Sequence, residues 1–184
     1  MTYYGGKELA AAFRTVRKNT IQIAEDIPED KYGFKPSAES RSIGQTLAHI
    51  AASTTFPTML HGERIPMEKI DFAEYMKTVG ELEAGLQTKA QIVARLRESG
   101  EKFAAMLESL KDEAFLGEVI TFRPGAEPPS RTRFDMLLAA KEHEMHHRAQ
   151  LMIMQRMIGI VPHLTREQQA RMARFQAQQA QTTA

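Results

Sequence analysis

The sequence predicts an all-α protein: a four-helix bundle with a long crossover between helices 2 and 3 and a helical tail at the C-terminus. Four long segments carry apolar residues along one face at the three- and four-residue spacings of an amphipathic helix. Only one short run, Val119 to Phe122, is β-prone. The pentapeptide His143-Glu144-Met145-His146-His147 lies inside the fourth segment, and bundles build metal sites from side chains on facing helices.

The first helix is expected over residues 7–27. Leu9, Phe13, Val16, Thr20, Ile23 and Ile27 share its face, and Pro28 ends it. Residues 28–41 hold two prolines and a glycine and read as a loop. Ser42-Ile43-Gly44-Gln45 has the form of a capping box, a hydroxyl at the cap with Gln three residues on. It opens a second helix over 42–60 carrying Ile43, Leu47, Ile50 and Thr54, with Pro57 as a kink point. The crossover, residues 61–87, should include a short helix near Phe72 to Lys77. Thr88 caps a third helix over 88–111, with Ile92, Leu96, Ser99, Phe103, Met106 and Leu110 on one face. Gly125 to Ser130 is a loop before the fourth helix, 131–158, which Gly159 and Pro162 stop. The glutamine-rich tail could form one more helix through Phe175, with frayed final residues. The expected organisation is one domain, residues 1–164, and a tail, 165–184.

At 184 residues the chain suits one domain with a good core. Lys and Arg total 24 against 23 Asp and Glu, so no overall field attracts nucleic acid or an anionic membrane. There is no cysteine, which excludes disulfides, thiolate metal sites and a cysteine nucleophile and suits the reducing cytoplasm. The absence of a signal-peptide core in Met1 to Lys18, and of any 18-residue apolar run, predicts a cytoplasmic protein without a membrane span.

His143 and His147 are four residues apart, so on a helix they project about 40° from each other and can point at one ion. Met136, Ala139, Ala140, Gln150, Met154 and Met157 fall within roughly 60° of the His143 line, placing the pair in a mostly apolar, inward-facing stripe. Two histidines on such a face each need partners for both ring nitrogens, and a single ion would engage both rings. A satisfied core pair remains the alternative on spacing alone. A second apolar line, Phe134, Leu138, Met145 and Met152, runs nearly opposite, so another subunit, the tail or the crossover should cover it.

His143-Glu144-Met145-His146-His147 formally fits the zinc-peptidase signature H-E-x-x-H, with Glu144 as general base. The metzincin extension fails at Gln150 and Ile153, and no sheet is predicted to cradle a peptide. Glu144-x-x-His147 also resembles half of a di-iron site, but no other histidine has Glu three residues before it. A third reading takes a ligand from another helix, where His49 shares a side with Gln45, Ala52 and Phe56. Helical geometry alone does not bring His49 to the pair.

Ser42-Ile43-Gly44-Gln45-Thr46-Leu47-Ala48-His49-Ile50-Ala51, followed by His143-x-x-His146-His147-Arg148-Ala149-Gln150-Leu151, resembles the DinB family. Ile27 to Pro36 before the second helix and Met157 to Pro162 after the fourth extend the likeness over residues 20–162. The resemblance implies a DinB-like four-helix bundle, often dimeric, in which three histidines bind one divalent ion, usually zinc or nickel. Its ligand positions fall on His49, His143 and His147. Ala149 stands where many relatives have Gly, and His146 fits the common His-His-Arg run as a supporting residue. His61 and His163 are read as surface residues. Some similar proteins are transferases or isomerases that use a small thiol, so the resemblance implies a metal-dependent transferase with a thiol cosubstrate, on a homodimer. The alternatives are a non-catalytic bundle stabilised by its metal and a metal-dependent hydrolase with Glu144 as base. For the transferase, Glu144, about 100° round from His143, points away from the histidine stripe.

Overall fold

The computed structural model of the chain describes residues 4–111 and 113–182. Helix α1, Gly6–Asp26, starts where the Gly5 N–H donates to the Glu8 carboxylate at 2.9 Å. It stops at Ile27, extended as a residue before proline must be. The capping box forms as read: Ser42 Oγ accepts from the Gln45 N–H, Gln45 Oε1 accepts from the Ser42 N–H, and α2 runs Ile43–Ala52. Thr88 and Gln91 repeat the device at the start of α5, Lys89–Ser109.

The second helix does not continue to residue 60. After Ala52 the chain breaks into a single turn, α3 (Thr55–Pro57), and a wide five-residue π-turn, Thr58–Gly62. Pro57 has no N–H to continue the ladder, and the wider turn takes over. In the crossover, α4 spans Phe72–Gly85, more than twice the length expected, with Asp71 capping Ala73 and Glu74. Only Val79 of α4 is buried, so its sequence carries no apolar stripe to betray its length.

A five-residue helix, α6 (Glu113–Gly117), leads into β1, Val119–Thr121, which pairs antiparallel with β2, Ser130–Thr132. The β-prone run is thus half a hairpin, and its partner takes the last residue read as loop, Ser130, and the first two read as the fourth helix. That helix, α7, runs Arg133–Met157 with Thr132 as its cap. The tail helix, α8, begins earlier than expected and runs His163–Thr182, past Phe175. The final two residues of the tail lie outside the described residues.

Helices α1, α2, α5 and α7 form the bundle. Its core has two apolar clusters. Ile23, Ile27, Ile43, Leu47, Ile50, Leu96 and Leu151 make one, and Leu9, Phe13, Phe103, Leu107, Leu116 and Leu137 the other. A polar layer lies between them. Arg17 donates to both oxygens of Glu144, to the Leu96 and Ile50 carbonyls and to Ser99 Oγ, and the Arg17 and Glu144 side chains are 4% and 0% exposed. Gly100 makes room: a Cβ there would stand 2.6 Å from Arg17 Cγ.

This layer sets the rotation of α7. Its buried residues are Leu137, Glu144, His147, Leu151, Met154 and Gln155, a face centred roughly 80° round from His143. The expected stripe was centred on His143 itself. Glu144 therefore sits in the middle of the buried face, while Gln150 and Met157 are exposed. Counting apolar residues led to the wrong centre because two of the fully buried residues on the helix, Glu144 and Gln155, are polar. The second apolar line is mostly covered within the chain: Phe134 and Leu138 pack on one core cluster and Met152 on the other, leaving Met145 exposed. No helix among the described residues is long and apolar enough to cross a membrane.

Candidate metal centre

His143 and His147, one turn apart on α7, bring their Nε2 atoms to 3.2 Å, and His49 Nε2 on α2 lies 3.1 Å from that of His143. One ligating nitrogen from each ring can be chosen so that all three lie within 4.8 Å of one another, and this is the one such group among the described residues. The outer nitrogens are held from behind. His49 Nδ1 is 2.8 Å from Glu83 Oε1, and His147 Nδ1 is 2.8 Å from Gln150 Oε1. Both partners accept, so both Nδ1 atoms carry the proton and both Nε2 atoms turn a lone pair inward. The one proton available to neutral His143 at Nε2 can serve only one of these neighbours well. Three nitrogens so arranged have more lone pairs than protons at their centre. That donor set fits a divalent ion, for which imidazole nitrogen is an ordinary ligand.

The environment works against the charged forms of His143 and His147. Burial, then the neighbouring His147 and His49 rings, push His143 down to about 4. Burial lowers His147 as well, against the bond to Gln150, which favours its protonated form. Arg41 adds a smaller push in the same direction on both.

Glu83 escaped the sequence reading, because it lies in a polar stretch where α4 was expected to have ended. Gln150 was seen only as a stripe residue. It bridges the two neighbouring rings, accepting from His147 and donating to His146 Nε2 at 3.1 Å, and His146 stays exposed outside the triad.

His61 and His163 are not surface residues. The π-turn carries His61 inward to 1% exposure, where its Nδ1 accepts from Arg133 at 3.2 Å. Burial and the Arg133 charge push its pKa down to about 4. His163, at the start of α8, is 5% exposed and faces Asn19. Neither joins the triad.

The profile of the DinB superfamily matches residues 12–151, a span that contains all three histidines. The chain belongs to the DinB superfamily. A DinB relative, the uncharacterized protein YjoA of Bacillus subtilis (strain 168), is 27% identical over 153 residues, covering 83% of this chain and 90% of YjoA. The crystal structure of YjoA, described as a DinB-like protein, aligns with a TM-score of 0.61 at 25% identity, over 83% of this chain and 92% of that one. An uncharacterized protein from Clostridium difficile 630 aligns at 0.60 and 13% identity, over 82% and 95% of the two chains, and shares the fold.

In this DinB fold the triad lies between two cavities along α7. One, of about 650 Å³, is lined by Phe56, Phe72, Phe122, Arg123 and Met136, the last two turns before His143. The other, of about 450 Å³, includes His147 itself in its wall, with Arg41 and Gln150.

Proposed function

We propose that His49, His143 and His147 hold one divalent metal ion, zinc or nickel, and that the protein is a metal-dependent transferase with a small thiol cosubstrate. The observation that carries the metal reading is the convergence of three Nε2 atoms, with the outer nitrogens of His49 and His147 bonded to Glu83 and Gln150. When bound, a dication among three neutral imidazoles keeps its full charge and supplies Lewis acidity that favours the thiolate over the thiol near neutral pH. The chain's own residues do the rest. Glu83 and Gln150 fix the ring tautomers, and the cavity beside His147 gives a ligand access. With no cysteine in the sequence, a thiol nucleophile must come from a second molecule. That cavity favours an open site over a closed, purely structural one.

The hydrolase reading loses its base. Glu144 is wholly buried, and both its oxygens bond Arg17. A carboxylate so held cannot reach a water beside the triad.

Metal analysis of protein purified without chelator or affinity nickel tests the proposal. We expect about one zinc or nickel per chain, lost in His147→Ala and mostly retained in His146→Ala. Greater damage from His146→Ala would mean the triad is wrongly assigned. Failure of every small thiol to support turnover by the loaded protein would leave a metal-stabilised bundle as the better description.

A further inference from the structure

Building on the metal reading above, we propose that the cavity beside His147 binds a thiol bearing a carboxylate, and that Arg41 is the residue that selects it. The cavity, about 450 Å³, has the size of a small-molecule site. Among the described residues no Asp or Glu lines it. Arg41 projects into it and, among the described residues, makes no hydrogen bond or ion pair. Its planar fork matches a carboxylate with two parallel bonds, a geometry that a lysine or a hydroxyl does not offer.

The rest of the wall describes the remainder of the ligand. Pro36, Ile153 and Met154 make an apolar side, and Ile153 is 59% exposed although it belongs to a bundle helix. A short aliphatic stem would cover these side chains. On the far side the wall is His147, a member of the triad, with Gln150 behind it. A molecule with its carboxylate on Arg41 and its stem along Ile153 thus presents its other end to His147, the one ring of the triad in this wall. Placing the sulfur there gives the substrate class: a short mercaptocarboxylate, or a larger thiol with a carboxylate a few carbons from sulfur. An aminothiol would set its ammonium against the Arg41 charge and is selected against.

The test titrates zinc-loaded protein with 3-mercaptopropionate, 2-mercaptoethanol and cysteamine by calorimetry. Wild type should bind 3-mercaptopropionate most tightly and cysteamine least. Arg41→Gln should weaken 3-mercaptopropionate about tenfold, the scale of one lost charge-assisted pair, with 2-mercaptoethanol and zinc content unchanged. Arg41→Lys should recover part of that loss, since it returns the charge without the fork. An unchanged preference for 3-mercaptopropionate in Arg41→Gln overturns the inference, as does wild type with no preference. If wild type takes up no zinc, the metal reading fails and the cavity is tested alone. Butyrate is then titrated into metal-free protein and followed through the Gln150 side-chain amide signals. A saturable shift lost in Arg41→Gln supports the carboxylate site, whereas no shift, or one indifferent to Arg41, overturns it.

Discussion

Glu83 is the residue through which the crossover takes part in the site. Its carboxylate holds the His49 Nδ1 proton at 2.8 Å while remaining a quarter exposed, so replacing it should disturb the ring more than the fold. Glu83→Gln keeps an acceptor but loses the charge, and metal affinity should fall roughly 10–100-fold in a competitive chelator titration, with little change in melting temperature. An unaltered affinity would mean that His49 is oriented by its helix alone. The buried rings also set an acid limit. His61 and His143 are both held near 4 in the folded chain, below the usual value near 6.5, so the unfolded chain takes up protons first as the pH falls. Stability of the metal-free protein should therefore be full above pH 6.5 and decline progressively toward pH 4. Urea denaturation across that range checks this, and a flat profile would contradict it. The histidine pair was legible from its four-residue spacing. Glu83 was not, since one acid in a polar segment looks like any solvated charge, and the buried state of His61 depends on a π-turn that no sequence period announces.

Elements with strong apolar periodicity were readable, and those without it were not. Helices α1 and α5 follow their stripes and caps almost to the residue, whereas α4, with Val79 alone buried, was foreseen only as a short turn. The strand Ser130–Thr132 was missed because its residues also suit a helix start, and only the pairing with Val119–Thr121 decides between them. Helix α7 was placed correctly in sequence but wrongly in rotation. Its buried face is centred on Glu144, and that follows from Arg17 on another helix, a relation no local pattern contains. Replacing one member of this pair should be severe. Glu144→Leu leaves the Arg17 guanidinium buried without its carboxylate and should cost about 3–5 kcal/mol in equilibrium denaturation. A loss below about 1 kcal/mol would mean that Arg17 finds another partner or reaches water.

Across the whole molecule, α8 stands apart from the bundle. Arg166 anchors it to Asp26 at 2.8 Å, yet from Arg166 to Gln181 every side chain is exposed, Met172 and Phe175 among them. A helix of that length has little stability in water without a surface to pack on. We expect a second copy of the chain to supply that surface, so light scattering at tens of micromolar should report a homodimer, and removal of residues 167–184 should yield a monomer. A full-length monomer would contradict this. The polar layer that divides the core has a consequence of another kind. A core of leucine and isoleucine alone accepts several helix orientations at similar cost, because oily contacts are poorly particular about angle. An arginine that must meet one carboxylate, one hydroxyl and two carbonyls at once accepts only one. The bundle thus forgoes some stability that apolar residues could provide, and in return α7 has a single azimuth. His143 and His147, either side of Glu144 in the chain, are aimed before any ion arrives.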